Sequence, residues 1–299
     1  MKFVCYKEFD DPLEPTYPGI MYKGKILPLA RVVAVAEAVH PRSLNLPEDL
    51  NHLVALLPTY VEAVKELEKG KILDQIWQEL GVSPVAPLPR PNRILAIGRN
   101  YADHAAEQDA DVPIEPIVFL KASSSVIGPE AEIVLPEGVG RVDYEGELAV
   151  VIGKSGKNIA ERDAMGYVVG YTLFNDVTAR DEQKRAFAQS LPWFLSKSYD
   201  TFGPMGPCLV TADEIRNPHN LEITTTLNGI VKQQANTSQM LFTIPQLIAF
   251  ISKRIALEPG DVIITGTPSG IGPIHAGDLV EVRIPEIGSL SNNVVNEGE

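Results

Sequence analysis

From residue 94 onward the chain is built of short, β-branched apolar runs broken by glycine, and this texture restricts the fold more than any other feature. Glu147 to Ile152, Tyr167 to Phe174, Cys208 to Thr211, Ile223 to Leu227, Val262 to Thr265 and Leu279 to Ile284 have the length and composition of strands. Asn228-Gly229, set between Thr226-Leu227 and Ile230-Val231, predicts a tight hairpin, because both central residues of such a turn need positive φ. Helical patterns are few, chiefly Tyr101 to Glu107, Ala179 to Gln189 and Ile244 to Ile255. A doubly wound sheet would alternate strand and helix regularly, and this chain does not. The expected class is therefore α+β, with a sheet-dominated main domain over residues 92–299.

Residues 1–80 have a different character and predict a small N-terminal α/β module. Met1 to Tyr6 and Gly19 to Leu29 are strand-like, the second carrying a Lys23-Gly24 turn. Leu50, Leu53 and Leu57, then Val61 and Val64, recur at helical spacing, and Pro58 between them predicts that one helix stops and another begins. A third short helix is expected from Ile72 to Leu80. Prolines at 84, 87, 89 and 91 make residues 81–91 a stiff connector.

Two cysteines, Cys5 and Cys208, suit a reducing compartment. No apolar run approaches the roughly 18 residues of a membrane span, and the first residues lack a signal peptide's apolar stretch, so a cytoplasmic location is expected. A net charge of −13 without a Lys/Arg cluster argues against nucleic acid. The same charge repels an anionic substrate at long range. Such a substrate would need a local concentration of positive charge, from a metal ion or from converging Lys and Arg side chains.

Glu145 and Glu147 stand two residues apart where an apolar strand begins, so their carboxylates share a face. Two like charges side by side call for a cation or a proton; the same spacing also fits two surface glutamates. Asp176 lies where the strand from Gly170 ends. It can serve as a third ligand in a hard oxygen site suited to Mg²⁺ or Mn²⁺, or as a helix cap. Zinc is disfavoured, because no His or Cys set has ligand spacing. His104 and Glu107, at i and i+3 of a helix, can pair as a general base and its orienting carboxylate, or form an exposed ion pair. Lys121 ends the apolar strand Ile117 to Leu120, and Lys197 follows Trp193-Phe194-Leu195-Ser196. Either can snorkel to water or bind a substrate carboxylate or oxyanion. The loop Gly266-Thr267-Pro268-Ser269-Gly270 lets backbone approach a ligand closely, but it lacks a P-loop lysine.

Taken in order, Gly98-Arg99-Asn100-Tyr101 through Glu107, Phe119-Leu120-Lys121, Tyr144-Glu145-Gly146-Glu147, Asn175-Asp176-Val177-Thr178-Ala179-Arg180-Asp181, Ser196-Lys197-Ser198 and Gly266 to Gly270 closely resemble the fumarylacetoacetate hydrolase family. The match covers about residues 90 to 293, and no motif position is missing. Residues 1–80 are similar to the extra domain of the longer bacterial members. The resemblance implies a mixed β-roll, a homodimer, and Mg²⁺ or Mn²⁺ held by Glu145, Glu147 and Asp176. It implies a catalytic set of His104, Glu107 and Lys121, the His104/Glu107 dyad lying on a segment that often acts as a lid. Arg99, Tyr101, Arg180, Gln183, Lys197 and Thr267 would contact a small 2-oxo acid.

On that basis the expected reaction is hydrolysis of a C–C bond in a 2,4-dioxo acid such as an acylpyruvate or fumarylpyruvate. A bound metal would stabilise the enolate, and His104 with Glu107 would activate water. The same electrostatic core serves decarboxylation or tautomerisation of oxaloacetate and isomerisation of 2-hydroxyhepta-2,4-diene-1,7-dioate. A non-enzymatic reading, a metal- or carboxylate-binding module with degenerate catalysis, differs in predicting no turnover that depends on His104.

Overall fold

The computed structural model describes residues 1–8, 15–39, 43–46, 50–76 and 82–298. The N-terminal segment contributes β1 (Lys2–Lys7), β2 (Tyr17–Tyr22), β3 (Lys25–Pro28), α1 (Leu29–Val39), α2 (Leu50–Lys69), α3 (Leu73–Ile76) and β4 (Ser83–Val85). The β2–β3 turn falls on Lys23-Gly24, both with positive φ. Pro58 does not divide two helices as expected; α2 runs through it. Buried Leu53, Leu57, Tyr60, Val64 and Leu67 keep one helical phase across the proline, and Pro58 itself is on the exposed face. Continuous burial of that stripe outweighs the roughly 3 kcal/mol cost of an interior proline. The third helix is described only over Leu73–Ile76; residues 77–80 of its expected span, and Gly81 of the connector, lie outside the described residues.

The remaining elements are β5 (Ile94–Gly98), α4 (Ala102–Glu107), β6 (Ile117–Lys121), β7 (Val126–Ile127), β8 (Ile133–Leu135), β9 (Val142–Tyr144), β10 (Gly146–Ile152), β11 (Val168–Asn175), β12 (Thr178–Ala179), α5 (Arg180–Ala188), β13 (Gly203–Thr211), β14 (Glu222–Leu227), β15 (Ile230–Asn236), α6 (Ile244–Ser252), β16 (Val262–Ile264), β17 (Gly272–Pro273), β18 (Leu279–Ile284) and β19 (Gly288–Asn296). Strands dominate, as the glycine-punctuated texture predicts, in an α+β arrangement with no closed barrel among the described residues.

The largest sheet runs β3-β2-β1-β13-β11-β10-β16-β5-β6, with β4 on β1 and β7 on β13. It is mixed: β5 and β16 are parallel, while most other neighbours are antiparallel. The N-terminal strands belong to this sheet, because β1 pairs with β13 through Lys2↔Val210 and Phe3↔Leu209. One apolar cluster joins Phe3, Leu27 and Leu57 to Ala149, Phe174 and Val262. A second sheet, β15-β14-β18-β19-β8, contains the expected hairpin, with Asn228 and Gly229 both at positive φ. A short third sheet, β12-β9-β17, brackets the start of β10.

Candidate metal centre and active site

Strand pairing brings the three acidic residues together. Gly146 of β10 lies opposite Asn175 of β11. Just beyond that pair the Asp176 N–H donates to the Glu145 carbonyl (2.8 Å), so the ladder continues by one step past the strand ends. Directly opposed residues project to the same face, as do i and i+2 on one strand. Glu145, Glu147 and Asp176 therefore converge, all buried, with one carboxylate oxygen from each within 4.8 Å of the others. Gly146 has no room for a side chain, because a Cβ would lie 2.1 Å from Thr225 Oγ1 of the overlying second sheet.

Cations already crowd this cluster. Lys197 Nζ donates to Glu145 Oε2 (2.8 Å) and Asp176 Oδ2 (2.6 Å). Arg180 pairs with Glu145 and with Asp143 (2.7 Å) and donates to Gln183 Oε1 (2.5 Å). Burial raises the Glu145 carboxyl, but Lys197 and then Arg180 outweigh it and hold that group well below the usual carboxylate range. Glu147 has no ion pair among the described residues. Burial, then Asp176 and Glu145, push its carboxyl well up, and its Oε2 accepts the Gly266 N–H at 2.6 Å.

The donor set fits a hard divalent cation. All three ligand atoms are carboxylate oxygens, the chemistry that Mg²⁺ and Mn²⁺ favour. Metal–oxygen bonds of about 2.1 Å put octahedral ligand oxygens about 3.0 to 4.2 Å apart, inside the observed spread. Asp176 Oδ1 is buried and, among the described residues, is met only by the ion-paired Lys121 Nζ at 2.9 Å.

His104 is buried on α4 above this cluster. Its Nδ1 lies 3.2 Å from Glu107 Oε2, and Glu107 Oε1 accepts the Gly270 N–H at 3.0 Å. Gly270 is required there: its φ is 99°, and a Cβ would sit 2.1 Å from the Lys232 carbonyl.

A cavity of about 20 Å³, room for one water, is lined by the three carboxylates, Lys197, His104, Arg99, Arg180, Gln183, Thr267, Gln108 and the rings of Phe119, Phe187 and Trp193. A second cavity of about 380 Å³ adjoins it, sharing Arg99, Gln108, Arg180, Gln183 and Phe187 as common wall.

The expected site residues thus meet at one place, except that two lie off the cavity and a third has its hydroxyl proton committed. Tyr101 lines neither cavity: it is the extended N-cap of α4, outside the helical phase of His104, and is buried in the core, where its backbone bridges to Met240. Lys121 is buried behind Asp176, holding the Val177 carbonyl at 3.1 Å and the Lys197 carbonyl, and does not line the cavity. The Thr267 hydroxyl donates to the Gly146 carbonyl (3.0 Å) and accepts from Gln233 (2.7 Å), so its proton is already committed.

Several supports have no spacing signal of their own. Asp143 anchors Arg141 and Arg180. Asn100 ties the turn after β5 to Thr265 and Phe242. Asn175 Oδ1 receives the Glu145 N–H, Gln233 Oε1 receives that of Gly146, and Gln108 bridges Arg99 and His104. Asn100 and Asn175 stand inside the quoted motifs and Asp143 immediately precedes one, which is the one hint that could have marked them.

Comparison with known proteins identifies the family. Residues 93–295 match the family described as fumarylacetoacetate (FAA) hydrolase C-terminal. The chain is 50% identical over 227 residues to a mitochondrial oxaloacetate tautomerase of Xenopus laevis, covering 74% of this chain and 70% of that one. A 2-hydroxyhepta-2,4-diene-1,7-dioate isomerase from Mycobacterium marinum is 40% identical, with a TM-score of 0.65 over 73% of this chain and 79% of the other. A maleylpyruvate hydrolase from Sphingobium sp. SYK-6, solved with manganese(II) and pyruvate, is 29% identical, with a TM-score of 0.78 over 99% of each chain. With a family model matching residues 93–295 and a relative 50% identical over 70% of its own length, the chain belongs to the fumarylacetoacetate hydrolase family.

Proposed function

We propose that this protein is a divalent-metal-dependent enzyme that moves a proton at the carbon beside the keto group of a small 2-oxo acid, with oxaloacetate as substrate and tautomerisation as the reaction. The observation that carries this reading is the convergence of three buried carboxylates beside the His104/Glu107 pair and the Arg99 guanidinium, each lining one or both of two adjoining cavities. Similarity to oxaloacetate tautomerases at 46 to 50% identity supports the choice of substrate.

Glu145, Glu147 and Asp176 would hold Mg²⁺, with Mn²⁺ as substitute. A bound ion would polarise the keto oxygen and steady the enolate charge. His104 would take the proton from the adjacent carbon and return it to the enolate oxygen, held in orientation by Glu107, which is itself anchored to the Gly270 N–H. Arg99 would receive the distal carboxylate. Gln183, whose oxygen is taken by Arg180, would turn its NH₂ group to the near one. Lys121 and Arg180 would position Asp176 and Glu145.

A second reading, hydrolysis of a 2,4-dioxo acid, is favoured by full-length similarity to maleylpyruvate hydrolase, which includes the N-terminal segment. The same dyad would then deprotonate water. Assaying the purified protein with Mg²⁺ or Mn²⁺ separates the two: decay of oxaloacetate enol absorbance without product acids supports tautomerisation, and release of a second acid from an acylpyruvate supports hydrolysis. No metal-dependent change in either assay sinks both. The homodimer is carried in this reading too, supported by exposed Ile114, Leu120, Leu191 and Leu195 on and near edge strand β6; a monomer in sedimentation velocity would remove it.

A further inference from the structure

Arg99 is unusual among the arginines near this site. Arg93, Arg141 and Arg180 each pair with a buried aspartate. Arg99 has no carboxylate partner among the described residues, although its guanidinium is partly buried, lies 5.3 Å from the Phe187 ring centre, and stands on a backbone with a φ of 55°. In a chain of net charge −13, a sheltered and uncompensated guanidinium is a seat for an anion.

Its one side-chain hydrogen bond among the described residues runs from Nε to Gln108 Oε1 (3.2 Å), and the other end of the same carboxamide meets His104 Nε2 at 3.1 Å. The directions of these bonds follow from donor chemistry. A guanidinium can only donate, so the amide oxygen must face Arg99 and the amide NH₂ must face His104. An NH₂ group can only donate, so His104 Nε2 presents its lone pair and the ring proton is on Nδ1, aimed at Glu107 Oε2. The lone pair that would act as the base is therefore covered by Gln108. Arg99 and Gln108 both belong to the wall shared by the inner and outer cavities.

We propose that Gln108 couples anion capture at Arg99 to exposure of the His104 base. An anionic group that takes the Arg99 guanidinium removes the partner of the Gln108 oxygen, the carboxamide turns away from Nε2, and the base is uncovered only when the carboxylate is seated. Gln108 is thus a positioning residue that confers preference for dicarboxylic over monocarboxylic 2-oxo acids. No bond is made or broken in this step. Its catalytic consequence rests on the reading of His104 as base; the coupling itself does not.

The test uses the full chain, metal-loaded, with ¹⁵N-labelled histidine, and His104→Ala identifies the His104 signals. In Gln108→Leu the Nε2 resonance should move toward that of a free unprotonated nitrogen, and in the unsubstituted protein succinate should move it the same way. In Arg99→Ala succinate should no longer act. Gln108→Leu should also raise deuterium exchange of pyruvate relative to oxaloacetate turnover by at least about fivefold, the lower end of coupling between sites. An Nε2 resonance unmoved by Gln108→Leu or by succinate, in variants that melt as the parent does, overturns the coupling. A moved resonance in a protein without turnover on any 2-oxo acid upholds the coupling and sinks the catalytic reading instead.

Discussion

At the scale of single residues, the site separates groups that act from groups that hold them. His104→Ala should lower turnover by about 10²- to 10⁴-fold, the range of general-base catalysis, while elemental analysis finds the metal still bound. Glu145→Ala should lose the metal, and unchanged metal content would refute the ligand assignment. Arg180 neutralises Asp143 and Glu145 together. Arg180→Leu should therefore destabilise the fold by about 3–5 kcal/mol in denaturant titration, because it leaves buried negative charge unpaired. That Glu145 shares a face with Glu147, and His104 with Glu107, was legible because spacing on one strand or helix decides it; the approach of Asp176 came from the pairing of β10 with β11. The commitment of the Thr267 hydroxyl to Gly146, and the covering of His104 by Gln108, depend on partners far along the chain or on which end of an amide turns where. No periodicity encodes either.

At the scale of elements, helix α4, which carries His104 and Glu107, is held by a loop it does not adjoin in sequence. Gly270→Ala forces a side chain against the Lys232 carbonyl at a positive φ, at a cost of about 1–3 kcal/mol of backbone strain. It should also lower turnover more than stability, because the Gly270 N–H orients Glu107; equal losses in the two measurements would contradict that link. Helix α2 is fastened to the end of β13 by Lys65 and Asp213 (2.5 Å). Burial raises the Asp213 carboxyl, but hydrogen bonds from Lys65 and Thr211 outweigh it and lower it from its ordinary value of 3.8. A depressed folded value contributes stability that is present above the ordinary one and is lost as pH falls below it. Asp213→Asn should therefore flatten the acid limb of the stability profile below about pH 4, with a small effect at neutral pH because the pair is half exposed. The strands and the Asn228-Gly229 turn were readable from local chemistry. The continuity of α2 through Pro58 was not, because it is decided by the core the helix packs on.

At the scale of the molecule, the three candidate ligands sit on or at the ends of adjacent strands of the largest sheet, so binding a metal there would be coupled to folding. Millimolar Mg²⁺ or Mn²⁺ should raise the melting temperature, by the equivalent of about 2.7 kcal/mol at a hundredfold excess over the dissociation constant. Glu145→Ala should abolish that shift, and a shift that survives would place the ion elsewhere. The N-terminal segment shares this sheet through β1 and β13. No helix among the described residues is long and apolar enough to cross a membrane.

The chain's own order of residues determined the sheet-dominated class, the family, and which acidic and imidazole groups could share a face, because these follow from local periodicity and from motifs a few residues long. Only the tertiary structure decided that Tyr101 turns into the core, that Lys121 stands behind Asp176, and that Arg99, Gln108 and His104 form one directed line of hydrogen bonds. Those outcomes depend on which groups from distant segments compete for the same buried donors and acceptors, and that competition exists only once the sheets have closed over them.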